Sequence, residues 1–270
     1  MNIRRAGFAI LYFSSLLPGQ TAAPTQTNIA AQPAMAATSP EYRDFSVRDF
    51  PVELGRNFAG LISTDNIKPV VFGGFATAAA FVPQKRMEGY FRDHSKPAIH
   101  EVGDVMGNLF FAGPAVGAAF VAGRFSEDAK FRSFSYSLAQ GFIVDQSIVI
   151  GLKYAVSSER PNHESSTSFP SGHTSIAFTS ATIASRYYGR KIGIPAYLLA
   201  GFIGYSRMAD RAHRFTDVVA GAAVGYIVGR TVSRRAAFDP NRRINWNVSV
   251  PPGGGVGLSL QIRPPWEPGG

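Results

Sequence analysis

Residues 206–217 read Ser-Arg-Met-Ala-Asp-Arg-Ala-His-Arg-Phe-Thr-Asp, a polar link that ends one apolar segment and opens another. The spacing predicts a helix over about 192–207 and a second over about 213–231. His213 and Asp217 are four apart, so on a helix they share one face, a turn from each other. A carboxylate there can hold the imidazole by one nitrogen and leave the other free to attack. Further along that face come Ala220, Gly221 and Val224, small enough to admit a close neighbouring helix.

Working outward, four more helical segments precede these two, at roughly 69–82, 99–123, 127–156 and 172–188. Gly and Pro punctuate their ends, and β-like alternation is largely absent. The expected fold is all-α, a six-helix bundle over 66–232. In an up-and-down bundle, the end of the third segment, the start of the fourth, the end of the fifth and the start of the sixth share one pole. Those ends carry Lys153 with Arg160 and Pro161, then Pro170-Ser171-Gly172-His173, then Ser206-Arg207, then His213 with Asp217. Three cations and two histidines are thus gathered at one place.

Each type has a physical use there. Ser171, Gly172 and His173 open a predicted helix, where free backbone N–H groups favour an anion. Gly172 lets the backbone approach a ligand closely. Lys153, Arg160 and Arg207 supply charge for the three equatorial oxygens of a phosphoryl group in transfer. Taken singly, each residue has an ordinary structural use: a His with an Asp at i+4 is usually a surface pair, and a helix-end cation usually a dipole partner. His94, His100 and His163 fall outside the cluster and read as surface or loop residues. His163 and Glu164 lie between two of its parts, within reach of a substrate. Arg211 and Arg214 flank His213, where anion steering and plain solvated charge are both open readings.

Upstream, Arg4 and Arg5 precede an apolar run from Ala6 to Leu17, with small residues at Thr21-Ala22-Ala23; residues 1–23 are expected to be an export signal. Residues 24–49 have a linker composition. A helix within 50–65 carries Phe50, Leu54, Phe58 and Ile62 as a stripe, expected to dock on the core rather than lie on a membrane surface. Beyond the bundle, 233–270 is a basic stretch followed by two period-two runs, Ile244–Val250 and Val256–Ile262, around a Pro- and Gly-rich turn. That pattern predicts a β-hairpin, expected to pack on the bundle or pair with another chain.

Composition bounds the partners. The chain has 270 residues, a net charge of +9, 45% hydrophobic and 17% charged residues, and no cysteine. Thiolate catalysis and disulfides are excluded. The positive charge calls for an anionic partner. Of the long uncharged runs, Val105–Gly123 and Ile192–Ser206, only the first reaches the length of a membrane span. Gln140, Asp145 and Gln146, mid-segment, suit a bundle interior rather than lipid. Six spans after a cleaved signal would leave the Arg-rich stretch from Arg230 to Arg243 outside, against the positive-inside tendency. The expectation is an exported, periplasmic bundle, soluble or membrane-associated.

The pattern K-x6-R-P, then P-S-G-H, then S-R-x5-H-x3-D resembles the three-part signature of the type 2 phosphatidic acid phosphatase and vanadium haloperoxidase superfamily. Every signature position matches, from Lys153 to Asp217. Thr216 departs slightly, since many relatives have Ser there. The resemblance implies a six-helix bundle of the acid phosphatase/haloperoxidase type and a phosphatase for phosphate monoesters or lipid (di)phosphates. It implies that His213 attacks phosphorus to form a phosphohistidine, that Asp217 orients it, and that His173 protonates the leaving alkoxide and then activates water. Lys153, Arg160, Ser171, Gly172 and Arg207 would hold the phosphoryl oxygens. No metal or other cofactor is implied, and vanadate is expected as an inhibitor. The implied partner is a phosphorylated substrate, a membrane lipid among the candidates and the membrane surface with it; nucleic acid is not expected. Two alternatives remain beside it. One is a vanadate-dependent haloperoxidase, although those are generally much longer. The other is a non-catalytic anion-binding relative.

Overall fold

The computed structural model describes residues 42, 46–94, 109–236, 244–249 and 257–262. The expected signal, most of the linker, His100 and the basic residues 237–243 lie outside them. Seven α-helices are described: α1 Phe50–Leu61, α2 Ile67–Asp93, α3 Leu109–Phe125, α4 Ala129–Val156, α5 Gly172–Tyr188, α6 Arg190–Ala209 and α7 Phe215–Ala236. Residues 41–238 form one compact unit. Helix α5 packs against α4, α6 and α7, with α2 against α7 and α3 against α4.

Local chemistry sets the ends. Asp128 caps α4, its Oδ1 accepting the Lys130 amide at 2.8 Å, and Ser157 closes the helix in a left-handed conformation, φ 46°. Ser171 is the N-cap of α5. Along α7, Gly221, Gly225 and Gly229 lie against the α5 backbone. A Cβ on Gly221 would stand 2.5 Å from the Ser171 carbonyl oxygen, so only glycine permits this approach. The close neighbour expected beside Gly221 is therefore α5.

The interior is unusually polar. Gln140 and Asp145 on α4 are fully buried. Asp145 Oδ1 accepts hydroxyls from Ser175 at 2.5 Å and Thr179 at 2.9 Å, and Gln146 donates to its other oxygen at 2.8 Å. Buried polar groups need such partners. Helix α1 docks by the same means: Asn57 donates to Gln140 at 3.1 Å, and Gln140 donates to the Phe50 carbonyl at 2.9 Å.

Three expectations need correction. The α1 stripe is split: Phe50 and Leu54 pack inward, whereas Ile62 is 90% exposed, because the docked face is centred on Glu53, Asn57 and Gly60. The first bundle helix does not stop at residue 82. Helix α2 continues through Pro83 to Asp93, because Phe91 is buried against Met208 and Ala209 and Gln84 accepts the Thr216 hydroxyl at 2.7 Å. That packing outweighs the bond lost at proline. Helix α7 starts at Phe215 rather than 213; the start of the second segment, expected near 99, lies outside the described residues.

Residues 244–262 contribute an antiparallel pair, β1 Ile244–Ser249 and β2 Gly257–Ile262, with Ile244 opposite Ile262 and Trp246 opposite Leu260.

Candidate active site

The α6–α7 link is built by main-chain bonds that the motif spacing makes possible. The Arg207 carbonyl, in the last turn of α6, accepts the amides of Ala212 at 3.1 Å and His213 at 3.2 Å. His213 therefore sits before α7, not on it. The first residue of the new helix cap is Arg214, whose amide donates to Asp217 Oδ2 at 2.8 Å while its carbonyl accepts the Val218 amide at 3.2 Å. Asp217 thus caps α7 from its first turn, half of a capping box. The helical i, i+4 argument reached the right pair by the wrong geometry.

His213 and Asp217 are both almost fully buried, and Nδ1 lies 3.8 Å from Oδ2. At that distance the pair is an electrostatic contact rather than a hydrogen bond. Asp217 Oδ2 also accepts the Ser168 hydroxyl at 2.6 Å, and the Asp217 carbonyl accepts the Ser171 amide at 2.9 Å. The cap of α5 and the first turn of α7 are therefore tied through one residue. Ser168 was missed from the sequence; a lone serine in a Ser- and Thr-rich loop carries no local signal.

Burial holds the His213 imidazole below its usual pKa; the Asp217 carboxylate pulls it back up, and Lys153 and Arg160 push it down. The ring is thus kept neutral near pH 7.

The cations converge on the same pole. Lys153 Nζ donates to the Thr167 carbonyl at 2.5 Å, and its stem passes 4.0 Å from the position a Cβ on Gly172 would occupy. Arg207 is 2% exposed, with Nη2 donating to Asp210 Oδ2 at 2.6 Å. Arg160 is half-buried, in a loop closed by its own amide to the Ser165 carbonyl at 2.8 Å. Ser171 Oγ faces inward, accepting the Thr174 hydroxyl at 2.9 Å, and its amide is committed to Asp217. The Thr174 amide donates to Ser171 Oγ and the Ser175 amide to the Ser171 carbonyl, which leaves the Gly172 and His173 amides at the α5 N-terminus for an anion. His173 is half-buried in the first turn of α5.

Beyond the motif residues, His163 pairs with Glu159 at 2.7 Å on the surface, and Glu164 accepts from Asn162 at 2.8 Å. His94 ends α2, stacked on Tyr90 at 4.6 Å. Arg214 reaches Glu88 at 3.4 Å, donates to Ser158 Oγ at 3.1 Å and contacts the Glu159 carbonyl. It holds the loop to α2.

Residues 134–238, which contain every one of these motif positions, match the family model described as the PAP2 superfamily. The likeness to that family lies in this stretch. Within it, 80 residues are 40% identical to the lipid A 1-phosphatase of Porphyromonas gingivalis, covering 28% of this chain and 18% of that protein. Over 93 residues the chain is 34% identical to lipid phosphate phosphatase 1 of Arabidopsis thaliana, covering 29% of this chain and 28% of that one. The matched stretch thus spans less than a third of either relative. The fold is similar to the crystal structure of the first transmembrane PAP2 type phosphatidylglycerolphosphate phosphatase from Bacillus subtilis, with a TM-score of 0.52 at 23% identity, covering 62% of this chain and 92% of that chain. Helices α1, α2 and α3 fall outside the PAP2 match.

Proposed function

We propose that this chain is a phosphoric ester hydrolase of the PAP2 type that acts on lipid phosphates through a phosphohistidine on His213, without a metal. The observation that carries the reading is the way Asp217 is held. Ser168 and the Arg214 amide fix its carboxylate against His213 Nδ1, which turns Nε2 to the work of attack. Nε2 attacks phosphorus in line as the ester P–O bond breaks, and His173 passes a proton to the leaving oxygen. Water, deprotonated by His173, then releases phosphate from Nε2. Lys153, Arg160, Arg207 and the Gly172 amide balance the charge on the equatorial oxygens, the task a magnesium ion performs in other phosphoryl transfers.

The lipid part of the proposal rests on which side chains face outward. Val71, Phe72, Phe75 and Val82 of α2 and Ile192, Ile194, Leu198 and Leu199 of α6 are exposed, Phe72 by 75%. Inside, Ser133, Ser137, Gln140, Asp145 and Thr179 are buried and hydrogen-bonded. An apolar exterior around a polar, satisfied interior suits lipid as the solvent. Helices α2 and α4 have 27 and 28 residues, about 40 Å at 1.5 Å per residue, against a hydrocarbon core of about 30 Å. By length and composition only the 215–234 part of α7 passes as a span among the described residues, and half of it is buried. The argument therefore stands on exposure, not on hydropathy.

The test is phosphate release by purified protein in EDTA from an aryl phosphate, a phosphatidate and a prenyl diphosphate, each with and without vanadate. Release that survives EDTA, is blocked by vanadate and vanishes in His213→Ala is expected. Release that needs an added divalent ion, or that persists in His213→Ala, overturns the mechanism.

A further inference from the structure

A cavity of about 430 Å³ opens beside His213. Its walls come from three places: the second half of α2, the loop at Pro161 and His163, and the turn from Met208 to Phe215. Lys153, Arg160, Arg207 and His173 do not line it. Instead it has its own cations, Lys85, Arg92, Arg211 and Arg214, against the single carboxylate of Glu88. Glu88 is already engaged by Arg214 at 3.4 Å, so the charge facing the cavity is strongly positive.

These cations are not all spent on structure. Arg214 is, through Glu88, Ser158 and Glu159. Arg211 donates one bond, to the Pro161 carbonyl at 3.2 Å, and a guanidinium has four more N–H groups to offer. Arg92 meets Asp93 at 3.2 Å in a pair that is more than half exposed on both sides, a weak tie. Lys85 and Arg92 are seven apart on α2, two turns along one face. Two wall residues, His163 and Arg211, hold left-handed backbone at φ 62° and 54°. Non-glycine residues keep that conformation only where the surroundings enforce it, and such strain gathers at ligand sites. The floor is apolar, where Phe91, Met208, Met87 and Phe215 pack together, so charges at the wall act through a lower dielectric than water.

We propose that this cavity receives a second phosphate of the substrate while the first lies in the cradle at His213. The inference rests on the phosphatase reading and narrows its substrate class to lipid headgroups carrying two phosphates. The second phosphate can be joined directly to the first, as in a lipid diphosphate, or set apart on the headgroup, as in a phospholipid whose phosphodiester precedes a terminal monoester. A phosphate monoester with no second anion leaves the cavity empty.

Two pairs of substrates with matched chains separate these sources: a prenyl diphosphate against the prenyl monophosphate, and a glycerophospholipid with a terminal monoester beyond its phosphodiester against phosphatidate. For full-length protein in detergent, kcat/KM is expected to favour the two-phosphate member by at least about tenfold in one pair, and Lys85→Gln/Arg92→Gln is expected to remove most of that preference. Both positions are exposed, so the double variant should fold. The pair that responds tells where the second phosphate sits. An identical ratio in the variant and the wild type for both pairs overturns the proposal.

A second measurement does not need turnover. Calorimetric titration should give tighter binding of inorganic pyrophosphate than of orthophosphate, with the difference lost in Lys85→Gln/Arg92→Gln. Should the chain release no phosphate, the phosphatase reading fails while this difference still decides the cavity. Equal affinities in both proteins refute the second-phosphate site whatever the kinetics.

Discussion

The Arg207 carbonyl accepts the His213 amide at 3.2 Å, so the residue whose guanidinium we assign to the phosphoryl oxygens also fixes the main chain of the proposed nucleophile. The two roles can be separated by mutation. Arg207→Ala removes the guanidinium, its stem and the pair with Asp210, and leaves the main-chain carbonyl in place. It should lower kcat/KM by roughly 10²–10³, the usual cost of losing one donor to a developing anion, and weaken vanadate inhibition in parallel. Loss of rate with vanadate affinity unchanged would show that the guanidinium does not touch the phosphoryl oxygens.

Asp217→Asn keeps the shape and deletes the charge. The rate should fall by about 10²–10⁴. In the proposed mechanism His213 must be neutral to attack, so activity should be lost as pH falls through its pKa. Burial already depresses that pKa and the Asp217 carboxylate raises it. The acid limb of kcat/KM should therefore move to lower pH in the Asn variant. A limb that stays in place, or rises, rules out Asp217 as the partner of His213.

Gly221→Ala puts a methyl group 2.5 Å from the Ser171 carbonyl oxygen. Backbone cannot yield as a flexible side chain does, so α5 and α7 must part. A loss of about 1–3 kcal/mol is expected from such overpacking, read as a lower melting temperature. Unchanged melting would mean that the two helices are not held at this spacing.

Phe72→Asp tests what surrounds α2. Facing lipid, the new charge should impair insertion and lower the yield in the carbonate-resistant membrane fraction. Facing water, a position 75% exposed should accept it freely. Normal yield in the membrane fraction would count against the lipid-facing assignment.

What could be read from the chain divides along a physical line. Lys153, Ser171, Gly172, His173, Arg207, His213 and Asp217 sit at helix ends, where each is placed by local spacing, and a linear pattern reports such placement well. The start of α7 was misread by two residues because the Arg207 carbonyl reaches across the turn to His213, a bond that no periodicity encodes. The Asp at the third position of the new helix, holding the Arg214 amide, was the available cue. Pro83 was a reasonable stop signal and a wrong one, because the burial of Phe91 against Met208 is a tertiary fact. With α2 ended early, Lys85 and Arg92 fell in a supposed loop, and the second set of cations went unseen.

The glycine ladder of α7 has a consequence for how relatives of this chain can diverge. Where Gly221 and Gly225 press on α5, backbone meets backbone, and no side chain lies between them to be exchanged for a larger or smaller one. His173 at the start of α5 and His213 before α7 are thereby held at a spacing that point substitutions can break but not adjust. Helix α2, outside the PAP2 match, presses on α7 at Gly73 but meets the site through the side chains of Gln84, Glu88 and Phe91, which can be exchanged. Drift in substrate preference has one open route, along the α2 wall, while the chemistry beside it stays put.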